Sequence, residues 1–125
     1  PLPSAHLKNA FRGSRTVILP DFQGLGIGAV ASDFIGAIYR NAGRRYYTKT
    51  IHPALGEYRN GSDSWRGNPD NGKIRKQRKA LSNYDSHWQS KRRASYCHEY
   101  IGESLGGYED LLKPIKEMRE SKKIN

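Results

Sequence analysis

A chain of 125 residues is about one domain, large enough for a modest core. Its 22 Lys and Arg against 12 Asp and Glu leave a net charge of +10. No run of 18 apolar residues exists, which excludes a membrane-spanning helix, and the single cysteine, Cys97, excludes an intrachain disulfide. The first residues, Pro1-Leu2-Pro3-Ser4, lack the basic-then-apolar order of a secretory leader. A reducing, cytoplasmic setting and no membrane partner are the expectation.

In chain order, the first predicted element is a strand over Arg15–Pro20, where Thr16, Val17, Ile18 and Leu19 end at a proline. Three glycines follow on alternate positions, Gly24, Gly26 and Gly28. From Ile27 the apolar residues Ile27, Val30, Ala31, Phe34 and Ile38 fall three and four apart, predicting one face of a helix. Asn41-Ala42-Gly43 is its stop, with Gly43 free to turn left-handed. Arg44–Ile51 reads as a second strand, closed by His52-Pro53. Strand, helix and strand at this length predict a βαβ unit over 15–51 with parallel strands.

The remainder is less regular. Asn60–Gly72 is rich in Gly, Asn, Asp and Ser and predicts a loop leading into a basic region, 60–92 in all. From Arg66 to Arg93 nine Lys and Arg face only Asp70 and Asp85. Arg93–Gly102, aromatic-rich, predicts a further strand. Residues 108–123 predict a terminal helix with Leu111, Leu112, Ile115 and Met118 on one face, kinked or split at Pro114. The fold class expected is α+β, a single domain over 1–125.

The glycines sit between a strand and the start of its crossover helix. A helix N-terminus presents unpaired N–H groups and the positive dipole end, and glycine lets an anion approach them. A diphosphate suits such a place; a tight turn is the other use of the same residues. The P-loop pattern is absent. The relaxed dinucleotide pattern fits Gly24, Gly26 and Ala29. However, Pro20-Asp21-Phe22-Gln23 stands between those glycines and the apolar run of their strand, and the second strand ends Lys49-Thr50-Ile51-His52 with no acidic residue for a ribose.

Gln23-x-x-Gly26-x-Gly28, set between a strand and an amphipathic helix, resembles the Q/R-x-x-G-x-G/A loop of the GCN5-related N-acetyltransferase (GNAT) superfamily. The longer string Arg15–Gly28 and the later His52–Arg59 are similar to the branch whose acetyltransferase domains occur alone or joined to ATP-binding cassette modules. The resemblance covers Arg15 to about Ile51. It implies a GNAT-like sheet with a central βαβ unit and acetyl-CoA or coenzyme A as cofactor. It implies an acetyl group moved to an amine that the sequence does not name, and no metal. Under it, the backbone of Gln23, Gly24, Leu25, Gly26, Ile27, Gly28 and Ala29 would hold the pyrophosphate. The strand through Val17, Ile18 and Leu19 would pair with the pantetheine arm and offer one N–H to the thioester carbonyl. The strands flanking the helix would splay apart around the acetyl group. Tyr58, past the second strand, would protonate the leaving thiolate. His52, Glu57 and His98 stand as candidate bases, while Cys97, inside a predicted strand, reads as a buried inert thiol.

Only fourteen residues precede the predicted first strand, so the front half of the usual domain is expected to be absent. A homodimer or a partner chain is then expected to complete the sheet. The alternative function is a basic RNA- or DNA-binding module without catalysis. It would act through 73–93, with Lys73, Arg75, Lys76, Arg78 and Lys79 on phosphates and Tyr84, Trp88 and Tyr96 stacking on bases.

Overall fold

The structure, a computed structural model, describes residues 1–74 and 94–113. These residues form a mixed α+β fold with, among them, five strands and two α-helices: β1 (Leu2–Pro3), β2 (Ala10–Arg12), α1 (Ile27–Asn41), β3 (Arg45–Thr50), α2 (Pro53–Asn60), β4 (Trp65–Gly67) and β5 (Tyr96–Tyr100). The sheet order is β1-β2-β3-β5-β4. Only β2 and β3 run parallel, with Ala10, Phe11 and Arg12 opposite Arg45, Tyr46 and Tyr47. The other pairs are antiparallel.

The βαβ unit is therefore present as β2–α1–β3, but its first strand is not Arg15–Pro20. The ladder lies upstream, at Ala10–Arg12. The Gly13 N–H makes one more bond, to the Tyr47 carbonyl at 2.8 Å, and the chain then leaves β3. Propensity misled here because β-branched residues suit a pleated surface with neighbours to pack against. Val17 and Leu19 are instead 78% and 66% exposed.

α1 begins and ends where its periodicity and caps place it. Gly26 enters it at φ +74°. At the other end Gly43, at φ +70°, gives its N–H to the Arg40 carbonyl while Arg44 gives its own to Tyr39, both at 3.0 Å. That pair of bonds is the Schellman closure. The buried face differs from the one the apolar spacing predicts. Val30 and Ala31 are exposed, whereas Ser32, Gly36, Ala37, Ile38 and Tyr39 are buried. Small residues decide this. A Cβ on Gly36 would lie 2.4 Å from Tyr100 Cγ, so glycine sets how closely α1 approaches the sheet.

Alternation along β3 and β5 sorts the sheet into two faces. Tyr46 and Thr48 on β3 and Tyr96, His98 and Tyr100 on β5 are all buried, facing the helices. There Ala37 and Tyr39 of α1 join Tyr46, Trp65 and Tyr100 in one core cluster. α2 packs on the same face through Gly56, where a Cβ would lie 2.3 Å from Tyr96 Cγ. The opposite face carries Arg45, Tyr47, Lys49, Arg66, Cys97 and Glu99, exposed or half-buried.

The predicted loop at Asn60–Gly72 holds a strand, β4, three residues long. Below it Asn71 substitutes for a strand. Its Oδ1 accepts the Cys97 N–H at 2.8 Å and its Nδ2 donates to the Cys97 carbonyl at 2.9 Å. The strand predicted at Arg93–Gly102 is present as β5. Of the predicted terminal helix, the described part is a 3-10 turn, Glu109–Leu112, followed by extended Lys113; the rest lies outside the described residues. β1 pairs with the outer side of β2, so β2 is not a bare edge.

Candidate functional site

Beyond Gly13 and Tyr47 the two parallel strands part, and a cleft of about 310 Å³ opens between Arg12, Gly13 and Ser14 on one side and Lys49, Thr50 and Ile51 on the other. β3 stays in the sheet, paired with β5 as far as Thr50. The β2 side leaves the sheet and returns through residues 14–19 toward the start of α1. Thr16 and Ile18 pass over Gly28, whose missing Cβ would sit 3.6 Å from Thr16 Cγ2 and 3.8 Å from Ile18 Cγ1. A Cβ there would sit at ordinary contact distance, so neither space nor a positive φ demands glycine at 28.

Gly24 and Gly26 have a different role. Both take positive φ, +81° and +74°, and a Cβ on either would meet no atom within 4 Å. Backbone conformation demands glycine there, and the surrounding space is open. Pro20–Phe22 forms a 3-10 turn, and Gln23 secures it by donating from Nε2 to the Ile18 carbonyl at 2.9 Å. No side chain caps α1. Its first internal bonds run from Ala29 and Val30 to the Gly26 carbonyl, at 3.1 and 3.2 Å. The amides of Ile27 and Gly28 lie ahead of those bonds at the positive end of a 15-residue helix. Ala29, expected among the phosphate donors, already has its N–H committed to the helix. Leu25 and Ile27 are exposed, as is Gln23. Val17, Ile18 and Leu19 flank the loop without forming the expected strand.

The remaining candidates lie on the helical side of the sheet. Tyr58 is 44% exposed and donates its hydroxyl to Asp33 Oδ2 at 2.9 Å. That bond, with burial adding to it, raises the phenol above its ordinary value. Asp33 Oδ1 accepts from Trp65 Nε1 at 2.7 Å. Beside it Arg59, 2% exposed, donates to Ser32 Oγ at 2.7 Å and lies over the Trp65 ring at 4.9 Å. Desolvation lowers the Arg59 pKa. This Ser32–Asp33–Tyr58–Arg59–Trp65 group was not legible in the sequence, because nothing in the pattern marks Arg59 as buried.

Among the candidate bases, His52 caps α2, its Nδ1 taking the Leu55 N–H at 3.5 Å. His98 is 1% exposed and bonds through Nε2 to Asn60 Oδ1 at 2.8 Å. Burial and then nearby Arg59 push its pKa down, so it is a neutral core histidine. Glu57 lies by Asn60. Cys97 is a free thiol of intermediate exposure on the face away from the helices. Tyr96, predicted to stack on bases, is buried against Gly56 and is closed to such contact. Most of the basic segment 73–93 lies outside the described residues.

A larger hollow, about 550 Å³, lies by Asp63, Ser64, Tyr100 and Glu103. Its two carboxylates make it a poor seat for phosphate. Among the described residues no helix is long and apolar enough to cross a membrane. No family model, curated protein or solved structure matches this chain.

Proposed function

We propose that the chain is an acetyl-CoA-dependent N-acyltransferase domain, or a coenzyme A-binding one, of GNAT type. The observation that carries this reading is the parting of β2 and β3 next to a glycine-entered, uncapped helix that connects them. A thioester needs a slot between strands for its acyl end, and a diphosphate needs amides that no side chain obstructs. The cleft at Gly13–Ser14 and Lys49–Ile51 supports the first. The open left-handed glycines and the Ile27 and Gly28 amides support the second. Backbone donors at the parted strands would polarise the thioester carbonyl, and the attacking amine would enter from the cleft. Tyr58 is the hydroxyl proposed to protonate the thiolate, and its bond to Asp33 must open for it to do so.

Coenzyme A or acetyl-CoA added at 100 times its Kd should stabilise the fold by about 2.7 kcal/mol and raise the melting temperature. NAD and ATP should not match it. An equal rise with NAD favours a dinucleotide site, and no rise with coenzyme A overturns the reading. Tyr58→Phe should spare coenzyme affinity and lower turnover roughly a hundredfold; unchanged turnover removes Tyr58 from the chemistry.

A further inference from the structure

The cleft has a charge pattern of its own. Arg12 and Lys49 reach it from opposite strands. Register places them together: Arg12 pairs with Tyr47, and Lys49 lies two residues beyond Tyr47, so both project from the face away from the helices. Both are exposed, and among the described residues neither has an ion-pair or hydrogen-bond partner. Two other arginines of that face differ. Arg45 and Arg66 both bond to Glu99, the first at 2.8 Å, and this holds the Glu99 pKa down at about 2. The same face thus pairs its arginines with a carboxylate at the β3–β5–β4 end and leaves two cations without one where the strands part. Among the described residues no carboxylate lines the cleft.

We propose that this cleft takes the anionic end of the amine acceptor, so that the substrate is an amine also carrying a carboxylate or phosphate. The inference rests on the acyltransferase reading for the word acceptor, and on the cleft alone for the anion. Arg12 offers a fork of donors to an oxyanion and Lys49 a point charge across from it. Polyamines and lysine-rich segments meet repulsion at the same place.

The test is calorimetric titration of protein saturated with coenzyme A. The probes are N-acetyl-L-glutamate, its uncharged diamide, and N-acetyl-O-phosphoethanolamine to separate carboxylate from phosphate. An anionic probe should bind about tenfold more tightly than the diamide, a charge-assisted contact discounted for exposure. Arg12→Gln with Lys49→Gln should erase that preference without altering diamide binding or the melting temperature. Arg12→Lys should keep most of it. Equal binding of all probes, no binding of the anions, or a preference that survives the double substitution overturns the proposal, even where coenzyme A binds. If coenzyme A does not bind but the preference and its dependence on Arg12 and Lys49 hold in the free protein, the anion site stands and the acyltransferase reading falls.

Discussion

The two ends of this sheet are built on opposite terms. Around β3, β5 and β4 the rings of Tyr46, Trp65 and Tyr100 pack with centroids 5.2 to 6.2 Å apart, and glycines at 36 and 56 bring both helices against the strands. Around β2 and residues 14–30 the chain exposes Val17, Leu19, Leu25 and Val30, and Gly24 and Gly26 face open space. One end spends its apolar residues on a core, and the other leaves backbone and charge accessible. The same residue type, glycine, serves closeness at one end and access at the other. A domain that must be both stable and open to a ligand separates the two demands in space.

Substitutions at the glycines should break this contrast most sharply. Gly56→Leu drives a side chain into Tyr96 and should cost about 3 kcal/mol or more, read as a fall in the urea midpoint. A small loss would mean that α2 is not seated on β5 as described.

Acid should act on the packed end next. His98 is held neutral below its ordinary value of 6.5, so its contribution is whole above that pH and declines as pH falls below it. Glu99, lowered from 4.5 to about 2, contributes fully above 4.5 and loses its share as pH falls through 2. Because Arg45 and Arg66 are well exposed, the Glu99 share should be about 1 kcal/mol rather than the full value of the shift. Melting temperature against pH should flatten between 4.5 and 2 in Glu99→Gln, and just below 6.5 in His98→Gln. An unaltered profile in either variant withdraws that assignment.

At the open end, Gly26→Ala forces a left-handed residue to carry a Cβ and should cost about 1 kcal/mol. Its affinity for coenzyme A should fall while the packed end keeps its hydrogen-exchange protection. Smallest of all, Val17→Ser and Leu25→Ser should each change stability by less than about 0.5 kcal/mol. A larger loss from either would show that these side chains are covered, and that the two ends differ less than their exposures indicate.

Where the sequence was legible follows the same division. α1, its Gly43 stop, β3 and β5 carry signals over five to fifteen residues, long enough for periodicity and caps to agree. β2 and β4 are three residues each, too short for any pattern, and β2 lay beside a β-branched run that imitates a strand better than it does. The face of α1 was misread because Gly36 and Ser32 carry no apolar signal yet meet Tyr100 and Arg59. The glycine loop was legible as a place, since alternate glycines before a helix have few uses. The difference among them was not, because the positive φ of Gly26 and the ordinary helical backbone of Gly28 look the same in one-letter code.

Asn71 has a consequence for how the sheet opens. Its amide closes both backbone groups of Cys97, beyond the last β4 pairing, Gly67 with His98. The Cys97 proton should therefore exchange with solvent when the 68–72 turn lifts, not when β4 and β5 separate. One amide resonance would time the detachment of that turn from the domain, and Asn71→Ala would set it free while its neighbour at His98 kept the slow clock of the core.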